Sequence, residues 1–305
     1  MTCDNKHIYH KPAFENRIVE LLDIKENTIV LDLTYGSGCY AQEILQKINN
    51  VQIIALDKDQ DALNNRIEDK RLTLFNADFR FFQNYLDYCK IQKVDYIICD
   101  LGVSSHQLDT NDRGFSYKTN AYLDMRMNKK AKKTAYEVIN TYDENKLSYI
   151  LKEYGNVKYH KKIANEILNK RKIKQIETTF ELVNILKPLI SYNKLFKELS
   201  KIFLALRIEV NDEINSLKEM LLKAKDRLNN NGKIAIITYH SLEDKIVKNF
   251  FKYGNFKGIP QKDSFGRTVG QIFKPLTSKP ITPSKEEIIN NKRIRSAKLR
   301  IAIKI

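Results

Sequence analysis

Short β-branched apolar runs alternate with helical stripes over the first hundred residues. Residues 28–33 (Thr28-Ile29-Val30-Leu31-Asp32-Leu33) predict a buried strand. Residues 40–48 follow with Ile44, Leu45 and Ile48 at helical spacing. Further apolar runs predict strands over 51–56, 72–75 and 94–99. Strands that alternate with helical segments imply a parallel sheet with crossover helices.

From about residue 106 to 200 no strand pattern is found. Thr141-Tyr142-Asp143-Glu144 has the capping-box spacing, and Leu147, Ile150, Leu151 and Tyr154 continue as a helical stripe that Gly155 can stop. Thr178-Thr179-Phe180-Glu181 is a second such box, followed by Leu182, Ile185 and Leu186, with Pro188 near the helix end. This stretch reads as a helical segment inserted into an α/β domain. The α/β pattern then resumes. Ile214, Leu217, Leu221, Ala224 and Leu228 share a helix face, Asn231-Gly232 predicts a turn, and 233–238 a fifth strand. Residues 297–303 alternate apolar and basic positions, which suits a half-buried strand with a basic face.

Composition sharpens this picture. The chain has 305 residues, 42% of them hydrophobic, enough to bury a sizeable core. No apolar run approaches the ~18–20 residues that span a bilayer. No secretory pattern is recognised at Met1-Thr2-Cys3, so a cytoplasmic, membrane-free protein is expected. Cys3, Cys39, Cys89 and Cys99 form no CxxC pair and no metal-ligand spacing, so reduced thiols and no metal are expected. Lys and Arg number 53 against 37 Asp and Glu, a formal charge of +16. Such a surface often binds a polyanion. A lysine-rich composition imposed by an AT-rich genome gives the same number.

The sharpest chemical signal is Asp32-Leu33-Thr34-Tyr35-Gly36-Ser37-Gly38, a strand ending in an acid, then a GxG turn, then a helix. Gly36 and Gly38 let backbone approach a ligand closely. Asp57, at the end of the next strand, can accept hydrogen bonds from both ribose hydroxyls of an adenosine cofactor. A dinucleotide and S-adenosylmethionine both fit this pattern, and the dinucleotide fingerprint tolerates Ala41 as its third position. Asp32 would repel a pyrophosphate and suits a sulfonium or ammonium, which favours S-adenosylmethionine. Asp100 closes the fourth strand at the same rim, where it can hold a cofactor amine or take a proton from a substrate amine. The bland alternative for Asp100 is a helix N-cap. His240, after the fifth strand, is a candidate general base or a helix cap.

Basic residues gather in three groups: Lys129, Lys130, Lys132 and Lys133; Lys158, Lys161, Lys162, Lys170, Arg171, Lys172 and Lys174; and Lys292, Arg293, Arg295, Lys298 and Arg300. Each can be only a solvated face. Together they suggest a surface that tracks phosphates.

The motifs in sequence order resemble one family, the MraW-like methyltransferases of small-subunit ribosomal RNA. The resemblance runs nearly end to end. It is carried by His10-Lys11-Pro12, the Asp32 to Gly38 turn, Asp100-Leu101-Gly102-Val103-Ser104-Ser105 with Gln107-Leu108-Asp109, and Arg113-Gly114-Phe115-Ser116. Leu123-Asp124-Met125-Arg126-Met127, Ala205-Leu206-Arg207-Ile208 with Val210-Asn211, and His240-Ser241-Leu242-Glu243-Asp244 continue it. Pro280-Ile281-Thr282-Pro283 and Arg295-Ser296-Ala297-Lys298-Leu299-Arg300 complete it. Cys39 and Tyr40 stand where the family usually carries a glycine and a histidine, Asn128 where it carries an Asp, and Lys245 where it carries an Arg.

The resemblance implies a class I S-adenosylmethionine-dependent methyltransferase, with a Rossmann-like, mostly parallel sheet and an inserted all-helical domain. The expected division is 1–108 with 201–305 for the cofactor domain and 109–200 for an RNA-recognising insert. It implies methylation of the N4 amine of one cytosine in the decoding region of 16S rRNA, with the small ribosomal subunit as partner and a monomer or homodimer as the working form. By motif position it places cofactor contacts on Gly38, Cys39, Tyr40, Asp57, Phe79, Asp100 and Gln107. A cytosine amine must be unstacked and its proton accepted, which points to the Asp100–Ser104 loop, with Phe115 or Tyr239 as a stacking surface. A small-molecule methyltransferase, an rRNA-binding assembly factor with weakened cofactor binding, and a nicotinamide enzyme are the rivals.

Overall fold

The structure, a computed structural model, describes residues 12–15, 17–110 and 112–305. His10, Lys11 and Cys3 of the sequence reading lie outside these residues. The chain divides into two compact units, one formed by residues up to Gly102 together with Asn215–Ile305, the other by Val103–Ile214. The sequence reading placed the second boundary at 200, which falls inside a continuous helix, Leu195–Asn211.

The first unit is built on one seven-stranded sheet. Its strands are β1 (Thr28–Asp32), β2 (Val51–Asp57), β3 (Leu72–Asn76), β4 (Val94–Asp100), β5 (Leu228–Thr238), β8 (Phe273–Pro275) and β9 (Lys298–Lys304), in the order β3-β2-β1-β4-β5-β9-β8. A small separate hairpin, β6 (Gln261–Lys262) with β7 (Thr268–Val269), precedes β8. β1 to β5 pair in parallel, and β9 is antiparallel to both its neighbours. Parallel strands are covered on both faces, so they read as near-continuous apolar runs. Ile53 to Leu56, Ile97 to Cys99 and Ile234 to Ile237 are all buried. The helices of this unit are α1 (Ile18–Leu22), α2 (Cys39–Lys47), α3 (Phe82–Tyr88), α10 (Glu213–Arg227, which begins two residues before the boundary), α11 (Ser241–Tyr253) and α12 (Lys285–Asn290).

The strand order reverses at β1, which has β2 on one side and β4 on the other. Ligands of open α/β sheets bind beyond the carboxyl ends of the strands at such a switch point. Asp32 pairs with Ala55 of β2 and Ile98 of β4, and Asp57 pairs with Asn76. The last residues of β1, β2 and β4, namely Asp32, Asp57 and Asp100, thus end at one rim.

Two local readings need correction. Asn231-Gly232 is no turn: β5 runs through it, with a register shift against β4 between Val94 and Tyr96 and Asn231 at φ 63°. Asn229 donates from Nδ2 to Asp95 at 2.7 Å, which helps hold this bulge. The box read at Thr141 is also displaced. Thr141 ends α5 (Ala135–Thr141), and Asp143 caps α6 (Glu144–Glu153) by accepting from the Lys146 N–H. Asp is as good an N-cap as Thr, and it stands one residue from the helix.

The second unit is helical, with α4 (Ser105–Asp109), α5, α6, α7 (His160–Ile173), α8 (Thr179–Leu186) and α9 (Leu195–Asn211) around a core that includes Leu147, Leu151, Ile167, Leu186 and Leu206. The box at Thr178 and Glu181 caps α8 as read. The family-like motifs here interlock through backbone. Asn211 donates to the Met125 carbonyl and accepts from the Met127 N–H, each at 2.7 Å. Arg126 grips Asp124 at 2.8 and 2.7 Å, and buried Arg113 donates to the carbonyls of Arg126 and Met127. No helix among the described residues is long and apolar enough to cross a membrane.

The basic face expected on the last strand is partly neutralised. Lys298 and Arg300 both pair with Asp244 of α11, at 3.2 and 2.7 Å. Arg300 is only 11% exposed, so removing its partner strands a largely desolvated cation. Asp244→Ala should therefore lower stability by about 2–4 kcal/mol, toward the cost of breaking a buried pair. Chemical denaturation checks this; an unchanged midpoint would show that the pair does not anchor the strand.

Candidate active site

The loop after β1 is pinned from three sides. Asp32 is fully buried; its Oδ1 accepts from the Thr34 N–H at 3.1 Å. The Thr34 hydroxyl accepts from the Asp100 N–H at 2.6 Å, tying β1 to β4. The Tyr35 N–H donates to the Leu56 carbonyl at 2.9 Å, and the Gly36 N–H to Asp57 Oδ2 at 2.8 Å, tying the loop to β2. The buried Tyr35 phenol donates to the Asn65 carbonyl and accepts from the Ile67 N–H. A side chain at Gly38 would put its Cβ 2.6 Å from that phenol oxygen, and φ there is 78°, so glycine is required on both counts. Gly38 caps α2, whose first residue is Cys39.

Three carboxylates line this rim. Asp57 accepts one N–H on each oxygen, from Gly36 and from Asp59, both at 2.8 Å. Asp100 Oδ2 accepts from the Tyr40 hydroxyl at 3.0 Å. That hydroxyl also lies 2.6 Å from the Ala13 carbonyl, so its single proton serves two acceptors. Asp32 Oδ2 and Asp100 Oδ1 are buried with no hydrogen-bond partner. Burial pushes Asp100 up to about 7, against the hydroxyls of Tyr40 and Tyr239, which pull it down. Burial likewise raises Asp32 to about 7, with Asp57 and Asp100 adding repulsion, and Asp57 to about 6. Two orphaned carboxylate oxygens in a low-dielectric rim are costly unless donors or a cation arrive. The site therefore fits a cationic ligand that carries N–H donors, which is the chemistry of the ammonium and sulfonium of S-adenosylmethionine. It does not fit a pyrophosphate.

The structure places the other candidates as follows. Cys39 accepts from the Ser37 hydroxyl at 3.2 Å. Tyr40 is 3% exposed and belongs to the core of the first unit, so its ring packs under the loop while its hydroxyl reaches Asp100. Phe79 sits in a short 3-10 turn beyond β3, nearly buried, with Lys58 Nζ 5.9 Å from its ring centroid. Gln107 lies in the second unit, at the third position of α4; its Oε1 accepts from the Ser104 N–H at 3.0 Å in a capping box. His240 occupies the N-cap of α11, and its Nε2 lies 3.0 Å from the buried Glu243. Glu243 also accepts from the Tyr239 N–H at 3.0 Å. His240 Nε2 makes no hydrogen bond among the described residues, and the ring is oriented instead by the Glu243 backbone N–H, which donates to it in a capping box. Sequence reasoning missed Thr34, Tyr40 as the partner of Asp100, and Glu243. Only Glu243 carried a local signal, its capping-box spacing from His240.

A sheet of this order with carboxylates at the ends of β1, β2 and β4 and a glycine loop opening α2 defines a class I methyltransferase that uses S-adenosylmethionine. The chain belongs to the MraW methylase family, which matches residues 7–305. It is 44% identical over 300 residues to the ribosomal RNA small subunit methyltransferase H of Phocaeicola vulgatus, covering 98% of each chain. It is 45% identical over 298 residues to the protein of the same name from Christiangramia forsetii, covering 97% of this chain and 98% of that one. An rRNA methylase of Streptococcus thermophilus superposes with a TM-score of 0.41 at 11% identity, over 95% of this chain and 93% of that one.

The raised carboxylates give a signed pH dependence. Asp32 and Asp100 have folded values near 7 against 3.8 for an ordinary Asp, so between these limits the folded protein binds more protons than the unfolded one. Stability of the cofactor-free protein should fall as pH rises from about 4 to 7, then level off. A cation favours the ionised carboxylates, so S-adenosylmethionine affinity should rise with pH up to about 7, by up to about tenfold per unit for each proton released, and level off above it. Calorimetry in buffers of different ionisation enthalpy measures that release; no released proton and a flat affinity would refute the assignment.

Proposed function

We propose that this methyltransferase transfers a methyl group to the N4 amine of one cytosine in the decoding region of 16S rRNA, in the small ribosomal subunit, with Asp100 as the proton acceptor. The supporting observation is Asp100 itself, a buried carboxylate with an unpartnered Oδ1 at the switch point of the sheet. The names of the relatives, small-subunit rRNA methyltransferases, support the substrate class. The charge agrees: a chain at +16 is suited to a polyanion.

A cytosine N4 amine is a weak nucleophile, because its lone pair is delocalised into the ring. Bound S-adenosylmethionine would supply an electrophilic methyl group, whose bond to sulfur would break and leave the neutral thioether S-adenosylhomocysteine. Asp100 Oδ1 accepts a hydrogen bond from the amine, orients the nitrogen and raises its electron density. As the N–C bond forms, one N4 proton passes to Asp100 Oδ1, and the neutral methylamine is left. Burial raises this carboxyl to about 7 in the ligand-free protein, and the charge of bound cofactor would hold it ionised and ready to accept the proton. The Tyr40 hydroxyl fixes Oδ2, so that Oδ1 is the free atom. Gly36, Gly38, Cys39, Asp57 and Phe79 form the cofactor side, with Asp32 facing positive charge. Tyr239 offers a ring against the unstacked base, and Gly102, whose Cβ would lie 3.5 Å from that ring, keeps the approach open. His240 positions the Tyr239 turn through Glu243. Gln107 caps α4 and orders the loop after Asp100. Val103–Ile214 supplies RNA recognition.

Asp100→Asn removes the acceptor charge while keeping size. It should lower kcat by about 10²–10⁴-fold, the range for a lost general base. Mass spectrometry of rRNA from cells lacking the gene, complemented with wild type or this variant, tests substrate and residue together. Wild type should restore one methyl on a decoding-region cytosine and the variant should not. Full methylation by the variant would remove Asp100 from the chemistry, and an unaltered rRNA in the deletion strain would remove the substrate.

A further inference from the structure

The helical unit contains a cavity of about 280 Å³ that the methyl-transfer reading does not use. Its walls carry Lys158, Lys194, Lys197 and Lys201 against a single acid, Glu198. Lys201 already satisfies Glu198, at 2.8 Å. Lys194 and Lys197 are exposed and have no acidic partner among the described residues. The apolar lining is the exposed ring of Tyr159, 55% accessible, with Ile163 and Ile190 beside it. Lys158 Nζ lies 5.4 Å from that ring centroid.

The placement of these cations is unfavourable for the helices themselves. Lys158 and Tyr159 stand immediately before α7, and Lys161 and Lys162 fall in its first turn, which has no acid. Lys194 is the N-cap of α9, and Lys197 lies in its first turn beside Glu198, the one acid of that turn, which Lys201 pairs at 2.8 Å. Cations near a helix N-terminus oppose the macrodipole, by about 0.3–1 kcal/mol each. Local rules broken in one concave place, beside an exposed aromatic ring, mark a binding site. An anion relieves both the lysine repulsion and the dipole conflict.

We propose that this cavity binds one unstacked nucleotide of the substrate RNA, with its phosphate on Lys194 and Lys197 and its base on Tyr159. The proposal rests on the reading that the substrate is RNA. The volume lies just below that of ligand pockets, which run about 300–1,000 Å³, and so limits the occupant to about one nucleotide. A ring that is half-exposed beside ammonium groups is the arrangement by which proteins hold single-stranded bases. Tyr192 and Phe196, near Ile190 and Lys197 in sequence, are also exposed aromatic rings.

The test uses the full chain and a fluorescently labelled single-stranded oligoribonucleotide from the decoding region, titrated at several salt concentrations. The double variant Lys194→Gln, Lys197→Gln should weaken binding about tenfold and flatten the salt slope by about 1.4, the value for two lost single-strand phosphate contacts. Tyr159→Ala should weaken binding about tenfold and leave the slope unchanged, since stacking releases no counterions. Both variants should keep wild-type S-adenosylmethionine affinity; Tyr159→Ala should keep the wild-type melting temperature, and the double lysine variant should melt at or above it, since it removes cations that oppose the helix dipole. Unchanged RNA affinity and slope would overturn the proposal. So would loss of binding to a polyglutamate peptide with RNA binding intact, which would assign the cavity to an acidic protein segment. If wild type methylates small-subunit rRNA while the variants bind RNA normally, the cavity assignment fails and the enzyme reading stands. If the variants lose RNA binding as stated but wild type methylates no cytosine, the enzyme reading fails and the cavity stands.

Discussion

The arrangement depends on carboxylates held dry at the end of a parallel sheet. Strand register fixes where β1, β2 and β4 stop, and all three stop in Asp. Asp32 and Asp100 each keep one buried oxygen without a partner. As ionised groups they cost free energy, and that cost is relieved by taking up a proton or by a ligand with positive charge and N–H donors. The loop from Thr34 to Gly38, Tyr35 beneath it and Tyr40 behind Asp100 follow from this constraint. Thr34, Gly36 and Tyr40 hydrogen-bond to Asp57 or Asp100 and hold them in place, while Tyr35 ties the loop to Asn65, Ile67 and Leu56.

Tyr40 illustrates how a departure from a family pattern can be absorbed. Its ring fills the core of the first unit, and its hydroxyl takes one oxygen of Asp100. The substitution is therefore part of the carboxylate network, and the loop keeps its glycine geometry at Gly36 and Gly38. Cys39, beside it, exchanges a hydrogen bond with Ser37 inside the same turn.

Much of this was legible in the chain. Five parallel strands were readable because strands buried on both faces cannot alternate polar and apolar positions. Asp32, Asp57 and Asp100 were readable because strand ends are set by the same pattern. What depended on contacts distant in sequence was not readable, such as Tyr40 with Asp100 sixty residues on. Errors of one or two residues came from competing local signals. Asp143 outranked Thr141 as a cap, and sheet pairing turned Asn231-Gly232 from a turn into a bulge. Charge was the least decisive guide, because a lysine in the sequence does not disclose its partner. Lys298 and Arg300 are spent on Asp244, whereas Lys194 and Lys197 face a cavity.

The central claim is that Asp100 is a desolvated carboxyl awaiting a cation and a substrate amine. Carbon-13 NMR of aspartate carboxyl groups, assigned with Asp100→Asn, measures this in the intact protein. The account predicts that Asp100 titrates near 7 without ligand and at a clearly lower pH once S-adenosylmethionine is bound. Titration near 4 in both states would contradict it.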